Sequence, residues 1–253
     1  DGNSELIGYS YTIEKDDINT DAINPDQEIN INRSTTTVFS VRSYDRDNKT
    51  YPTGSTGKIW ISIVGTTVFE SSPPLLTSND GWFNRTMTKS DWCADQTSYF
   101  LGKHAWYGGT YGDSYVKDNT TQPRNFTLVG DLINNLQQPD GSSNFTIGST
   151  ITFSGTVTDD CGNPRTADSV IVYKMIHGSF ESSCTADATG SCSITTNSSF
   201  PYGWYNISMT TSKDGYNTNV TLAENRFFLR SQILLDDPKK IPTETLVPWG
   251  KSP

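Results

Sequence analysis

The chain has no run rich in lysine or arginine, no long apolar stretch, only two histidines and only four cysteines among its 253 residues. Each shortage excludes a class of function. With 28 acidic against 19 basic side chains and a net charge of -9, it lacks the phosphate-neutralising surface that nucleic-acid binding requires. Its longest apolar runs, such as the one around residues 59–64, fall far short of the roughly 20 residues that span a bilayer, so no transmembrane segment is expected. The sequence contains no G-x-S-x-G, HExxH or phosphate loop, and nothing nominates a base and nucleophile for a shared cleft. Only a glycosidase, needing no more than two carboxylates, escapes exclusion by motif. The expectation is a protein that is not an enzyme and has no cofactor.

What is abundant is hydroxyl and amide. Thr and Ser together supply 63 residues, about a quarter of the chain, so chance would place a hydroxyl residue two positions after about a quarter of the asparagines. Nine of the 19 asparagines have one: Asn32, Asn48, Asn84, Asn119, Asn125, Asn144, Asn197, Asn206 and Asn219, none with proline between. All fit the N-glycosylation acceptor pattern. The excess predicts an extracellular or cell-surface glycoprotein carrying N-linked glycans.

The four cysteines allow three pairings if all are bridged. Cys184 and Cys192 flank a short turn containing Gly190, where a hairpin brings them into cross-strand reach; that leaves Cys93 for Cys161. Zinc is a poor alternative, since no C-x-x-C pair occurs and His104 and His177 are not spaced with the cysteines as ligands.

Apolar residues recur with period two. Ile59, Ile61 and Ile63 share a face, and Ile151, Phe153 and Val157 alternate with hydroxyl residues. Similar runs near 37–41, 82–87, 169–175, 205–209 and 227–233 are separated by Gly, Pro, Asn and Asp, the pattern of an all-β sandwich. In GWYNISM, Tyr205, Ile207 and Met209 fall on one face and Asn206 on the other, so this acceptor points to solvent; Asn84 is placed similarly.

The chain also repeats. VFESS at 68–72 returns as SFESS at 179–183, each after an Ile/Val-rich strand and before a Gly-initiated one. VRSYDRDN from Val41 matches VTDDCGN from Val157, and RNFTLVGDL ending at Leu132 matches NRFFLRSQI ending at Ile233. Duplication predicts an N-terminal strand and acidic linker over 1–30, sandwiches over 31–133 and 134–235 joined by the polar NNLQQPDG segment, and an extended Pro-rich tail over 236–253.

The second repeat, with TITFSGTVTDDCGNP, SVIVYK, TGSCSITT and YGWYNISMTTSKDGYN, resembles the immunoglobulin-like repeats of prokaryotic surface proteins, especially archaeal surface-layer and filament glycoproteins and bacterial invasin-type adhesins. In those families an early strand ends in V-x-D-x-x-G-x-P and a GxY segment enters the late strands. The resemblance covers about 100 residues and extends loosely to repeat one, where Asp45 and Asp47 replace the Asp-Cys-Gly run. It implies two tandem immunoglobulin-like sandwiches and a surface role without a catalytic assignment.

Two segments suggest ligand chemistry. Asp17, Asn19, Asp21 and Glu28 occupy positions 1, 3, 5 and 12 of a calcium loop, but Ala22 stands where the turn wants glycine, and a linker accounts for the segment equally well. The aromatic cluster Trp92, Tyr99, Phe100, Trp106, Tyr107, Tyr111 and Tyr115, with Asp91, Asp95 and Asp113 nearby, has the composition of a sugar-stacking surface; the blander expectation, which we favour, is that the rings fill the core. The segment ELIGYSYTIEK, alternating at Leu6, Gly8, Tyr9, Tyr11 and Ile13, either completes the first sheet or is donated to a neighbouring subunit. The leading expectation is a structural cell-surface or filament glycoprotein that self-assembles; the alternative is a carbohydrate-binding or adhesion module of a secreted multidomain protein.

Overall fold

The computed structural model describes residues 14–231. The alternating segment 5–13 and the tail 236–253 therefore lie outside the described residues, as does the end of the expected second sandwich. The elements are β1 (Ile18–Asn24), β2 (Ile29–Asn32), β3 (Thr37–Asp45), β4 (Thr56–Val64), β5 (Val68–Phe69), β6 (Leu76–Thr77), β7 (Trp82–Met87), α1 (Lys89–Ala94), β8 (Gly102–Thr110), β9 (Asn119–Thr120) and β10 (Arg124–Gln138). They continue as β11 (Ser143–Thr146), β12 (Thr150–Asp159), β13 (Val170–His177), β14 (Phe180–Thr185), β15 (Ser191–Thr195), β16 (Gly203–Ser212), β17 (Tyr216–Asn217) and β18 (Asn219–Arg230). The protein is all-β, built as immunoglobulin-like sandwiches. Among the described residues no helix is long and apolar enough to cross a membrane.

The chain divides into two compact units that are not contiguous in sequence. Among the described residues the first takes 14–133, 157–169 and 211–219; the second takes 134–156, 170–210 and 220–231. The polar NNLQQ stretch, expected as part of a linker, is extended strand belonging to β10. Residues 18–24, expected within an acidic linker, form β1 antiparallel to β3, with Asp21 opposite Arg42 and Asn19 opposite Tyr44. Asp and Asn are poor strand formers, but here they occupy the outward face of a strand at the sheet margin.

In the first unit a β1-β3-β7 sheet accompanies a sheet in which β10, β8, β4 and β5 are successive neighbours. Between them lie Phe39, Val41, Ile59, Ile61, Phe83, Trp92, Trp106, Phe126 and Leu128, all fully buried or nearly so. β2 pairs with β10 in parallel, Ile29 to Asn32 against Phe126 to Val129. In the second unit β11, β18, β16, β13 and β14 form one sheet, while β12 pairs with β15. Alternation in β16 buries Tyr205, Ile207 and Met209 beside Tyr173 and Phe227 of the neighbouring strands β13 and β18, and Phe153 of β12 in the other sheet is buried as well. β11 pairs with β18 in parallel, Ser143 to Thr146 against Phe227 to Arg230.

Period-two reading misses α1. A capping box starts it: Thr88 Oγ1 accepts the Asp91 N–H, and the Asp91 carboxylate accepts the Thr88 N–H. The helix turns Trp92 into the core. The signal is present in the sequence as T-x-x-D, Thr88 to Asp91.

Candidate functional site

The converging charges of the molecule meet in the first unit, at the turn after β12. Asp159 is fully buried, and its Oδ1 accepts the N–H groups of Cys161 and Asn163 at 3.0 and 2.8 Å. Its Oδ2 accepts from Arg165 Nη2 at 2.9 Å and from the Tyr216 hydroxyl at 3.1 Å. Arg33, only 2% exposed, donates from Nε and Nη2 to Asp160 at 2.6 to 2.9 Å and reaches Asp159 Oδ2 at 3.1 Å. The Arg33 and Arg165 guanidinium groups lie 5.5 and 5.7 Å from the Tyr216 ring centre. At the margin Asp131 accepts from Asn32, Ser34 and Asn217.

The electrostatics follow from burial and pairing. Burial pushes the Asp159 carboxyl up, but hydrogen bonds from Asn163, Arg165 and Tyr216 overcome it and hold the group well below the usual carboxylate range. Burial likewise pushes Arg33 and Arg165 down, and their aspartate partners reverse it, leaving both guanidinium groups more firmly protonated. Tyr216 is raised, chiefly by burial and then by Asp159. Asp159, Asp160 and Cys161 offer ligand atoms close together, yet Cys161 is in a disulfide and both carboxylates are bound by guanidinium. The cluster therefore has neither a free acid or base for proton transfer nor a donor set for a cation. Its chemistry is structural.

The disulfides are Cys93–Cys161, from the end of α1 to the Asp159 turn, and Cys184–Cys192. Asn163 Nδ2 also donates to Gln96 Oε1 beside the first of them. The second is not a hairpin bridge: Cys184 lies opposite Tyr173 in the β13–β14 ladder, and Cys192 opposite Phe153 in the β12–β15 ladder. It ties one sheet of the second unit to the other.

The four calcium candidates do not converge. Asp17 stands just before β1 and Asp21 within it, about 13 Å apart along extended chain; Asp17 is bound by Lys117 at 2.6 Å, while Glu28 meets Asn125. The aromatic cluster divides. Trp92 and Trp106 are completely enclosed and meet Phe39 edge-on, and Tyr99 packs on Trp92. Tyr107 stacks on Trp60, whose other neighbour is Tyr111. Phe100 and Tyr111 are 37% and 43% exposed, and only Tyr115, at 81%, is open enough to serve as a free ring. The acidic neighbours are structural too: Asp95 accepts from Thr97 and Ser98, which pulls it down to about 2, and Asp113 accepts the N–H groups of Thr56, Tyr115 and Val116.

A feature that sequence reading missed lies on the outer face of β1 and β3. Asn19, Asp21, Ile23, Arg42, Tyr44 and Tyr51 line a shallow depression of about 400 Å³. Arg42 sits 3.5 Å over the Tyr51 ring, pairs with Asp80 and also faces Trp82. The residues come from segments up to 32 positions apart, so no local motif marks them.

The nine sequons differ in what their Nδ2 atoms do. Asn32 Nδ2 is bound to both Asp131 oxygens, Asn48 Nδ2 to Asp16 and Asp45, Asn125 Nδ2 to Glu28, and Asn219 Nδ2 to the Leu132 carbonyl. Asn84, Asn144 and Asn197 are exposed; Asn119 and Asn206 are half-buried.

No protein-family model and no curated protein matches this chain. Among solved structures, three titin immunoglobulin domains (I67–I69) match at 9% identity and a TM-score of 0.44, covering 85% of this chain and 66% of that one. Sidekick-1 immunoglobulin domains 1–4 match at 10% identity and 0.40, covering 85% and 49%. The fibronectin(III)-like modules of Clostridium thermocellum CbhA match at 11% identity and 0.29, covering 84% and 94%. Likenesses at this level carry no functional information.

Proposed function

We propose that the chain is a structural or adhesive part of an extracellular, cell-surface glycoprotein, in which immunoglobulin-like sandwiches self-assemble into a filament or surface lattice of the archaeal kind. The observation that carries this reading is the buried Arg33–Asp159–Asp160 cluster. Its charged groups are spent on one another and on the backbone of the turn rather than left to act on a substrate. Two disulfides that leave no free cysteine support an oxidising compartment. Electron microscopy and sedimentation of the purified chain test assembly. The expected result is ordered polymers, lost on removal of residues 1–13 if that segment is a donated strand; a chain that stays monomeric at high concentration overturns the assembly reading.

The depression around Arg42 favours a second reading, a carbohydrate-binding module, since it combines aromatic rings with Asp21, Asn19 and a guanidinium. Trp106 offers no ring to a ligand; Tyr51→Ala and Arg42→Ala are the variants that abolish polysaccharide binding under this reading.

A further inference from the structure

Trp204 is 47% exposed, and among the described residues every other tryptophan is more covered. It stands on the outer face of β16, where strand alternation puts Asn206 on the same face about 7 Å along. Trp204 meets the Phe228 ring edge-on, 5.4 Å between centres, and Phe228 lies directly opposite the exposed Asn144 in the parallel β11–β18 ladder. An aromatic pair is thus flanked by two sequons on one sheet face. Trp204 thus presents part of its ring to whatever is attached beside it on this face.

The amide of Asn206 is already oriented. Its Oδ1 accepts the Asn225 N–H at 2.8 Å, and among the described residues no hydrogen bond engages its Nδ2. Asn225 has a φ of 51°, a left-handed backbone that asparagine tolerates better than most residues. N-glycosylation replaces a hydrogen on Nδ2 and keeps Oδ1 as an acceptor, so this hydrogen bond survives modification. At Asn32 and Asn48 the Nδ2 atom already has two acceptors, and substitution there disrupts a fold contact.

We infer that Asn206 carries an N-linked glycan and that the Trp204–Phe228 pair is the platform on which its first sugar packs. The donor is a lipid-linked saccharide phosphate. The bond from the sugar C1 to the phosphate oxygen breaks, the Nδ2–C1 bond forms, and the amide proton leaves with the lipid phosphate, with no change of oxidation state. Pyranose C–H groups cover the exposed indole face, and the polar side of the sugar meets water.

This rests on the glycoprotein reading, and glycopeptide mapping of the full chain from its native source separates the two. No occupied sequon sinks the glycoprotein reading itself; occupied sequons with Asn206 bare overturn only the present inference. Expected is sugar on Asn206. The platform is then tested by Trp204→Ala, Asn206→Gln and the double variant, produced in that source and in an exporting host that lacks N-glycosylation. In the glycosylating host Trp204→Ala and Asn206→Gln are non-additive in melting temperature, and without glycan they add; equal additivity in both hosts overturns the platform.

Discussion

The two sandwiches follow one plan and fasten it differently. β3 and β12, at matching places in the two halves of the sequence, each end in an aspartate that holds the following turn, and both turns lie in the first compact unit. Asp45 accepts the N–H groups of Asp47 and Asn48, as Asp159 accepts those of Cys161 and Asn163. In both halves, a glycine at a φ near 130° opens the penultimate long strand, Gly102 in β8 and Gly203 in β16. Two residues on, Tyr205 donates its hydroxyl proton to the Pro201 carbonyl at 2.7 Å, the tyrosine corner of immunoglobulin-like folds. The same position in the first unit is His104, whose Nε2 lies 2.6 Å from the Phe100 carbonyl and whose Nδ1 lies 2.9 Å from that of Ser62. His104 stacks on Phe126 as Tyr205 stacks on Phe227. A shared backbone contact is thus kept by different side chains. The Asp159 turn has gained two guanidinium partners and a disulfide that the Asp45 turn lacks.

Removing those additions tests the contrast. Replacing Cys93 and Cys161 by serine frees a 68-residue loop and is expected to cost about 4 to 5 kcal/mol, measured by denaturant unfolding under oxidising conditions. Arg33→Ala leaves Asp160 buried without its guanidinium partner, at a cost of about 3–5 kcal/mol; a loss below about 1 kcal/mol means that the cluster is not fastening the fold. Opening the Cys184–Cys192 bridge, which spans only eight positions, is expected to cost about 2.5 kcal/mol.

The pH response divides the two aspartate turns. Asp159 has a depressed native pKa, so its contribution is fully present above the unfolded value of about 3.9 and is lost as pH falls from there through the native value. Asp159→Asn should lower stability at neutral pH and flatten the acid limb of the stability curve. Asp45 is lowered as well, with burial opposing the hydrogen bonds of Asn48 and Asp47, but it has no guanidinium partner. Asp45→Asn should change the acid limb less, and equal changes would erase the distinction between the turns. The smallest expected effect is at the corner: Tyr205→Phe removes one hydrogen bond worth about 1 kcal/mol, and His104→Phe, which removes the imidazole's hydrogen bond to a carbonyl, should cost at least as much.

The all-β class and the sandwich architecture were legible because half-buried strands write their burial into every second residue. β16 shows this, with Tyr205, Ile207 and Met209 inside. The internal matching was legible but displaced. Val41 was set against Val157, whereas the structure equates Asp45 with Asp159 and Phe39 with Phe153, a shift of two that preserves strand alternation and so leaves no local trace. The Pro-Asp pairs at 25–26 and 139–140, each introduced by a cis bond, kept the same spacing and were overlooked. Arg33 could not be read at all, because its partner lies 127 positions away and an arginine beside a strand ordinarily faces water. The Arg42 depression was hidden for a similar reason, being assembled across β1 and β3 from residues that are unremarkable singly.

The parallel ladders of β2 with β10 and of β11 with β18 have a consequence for chains under tension. In each unit an early strand runs beside the last one in the same direction, so the incoming end of one and the outgoing end of the other lie at opposite ends of the ladder. A pull on the two ends then loads all four residue pairs of each ladder at once, in shear, instead of unzipping them singly. Rupture under such loading requires the rungs to fail together, which gives short ladders a resistance to force out of proportion to their length.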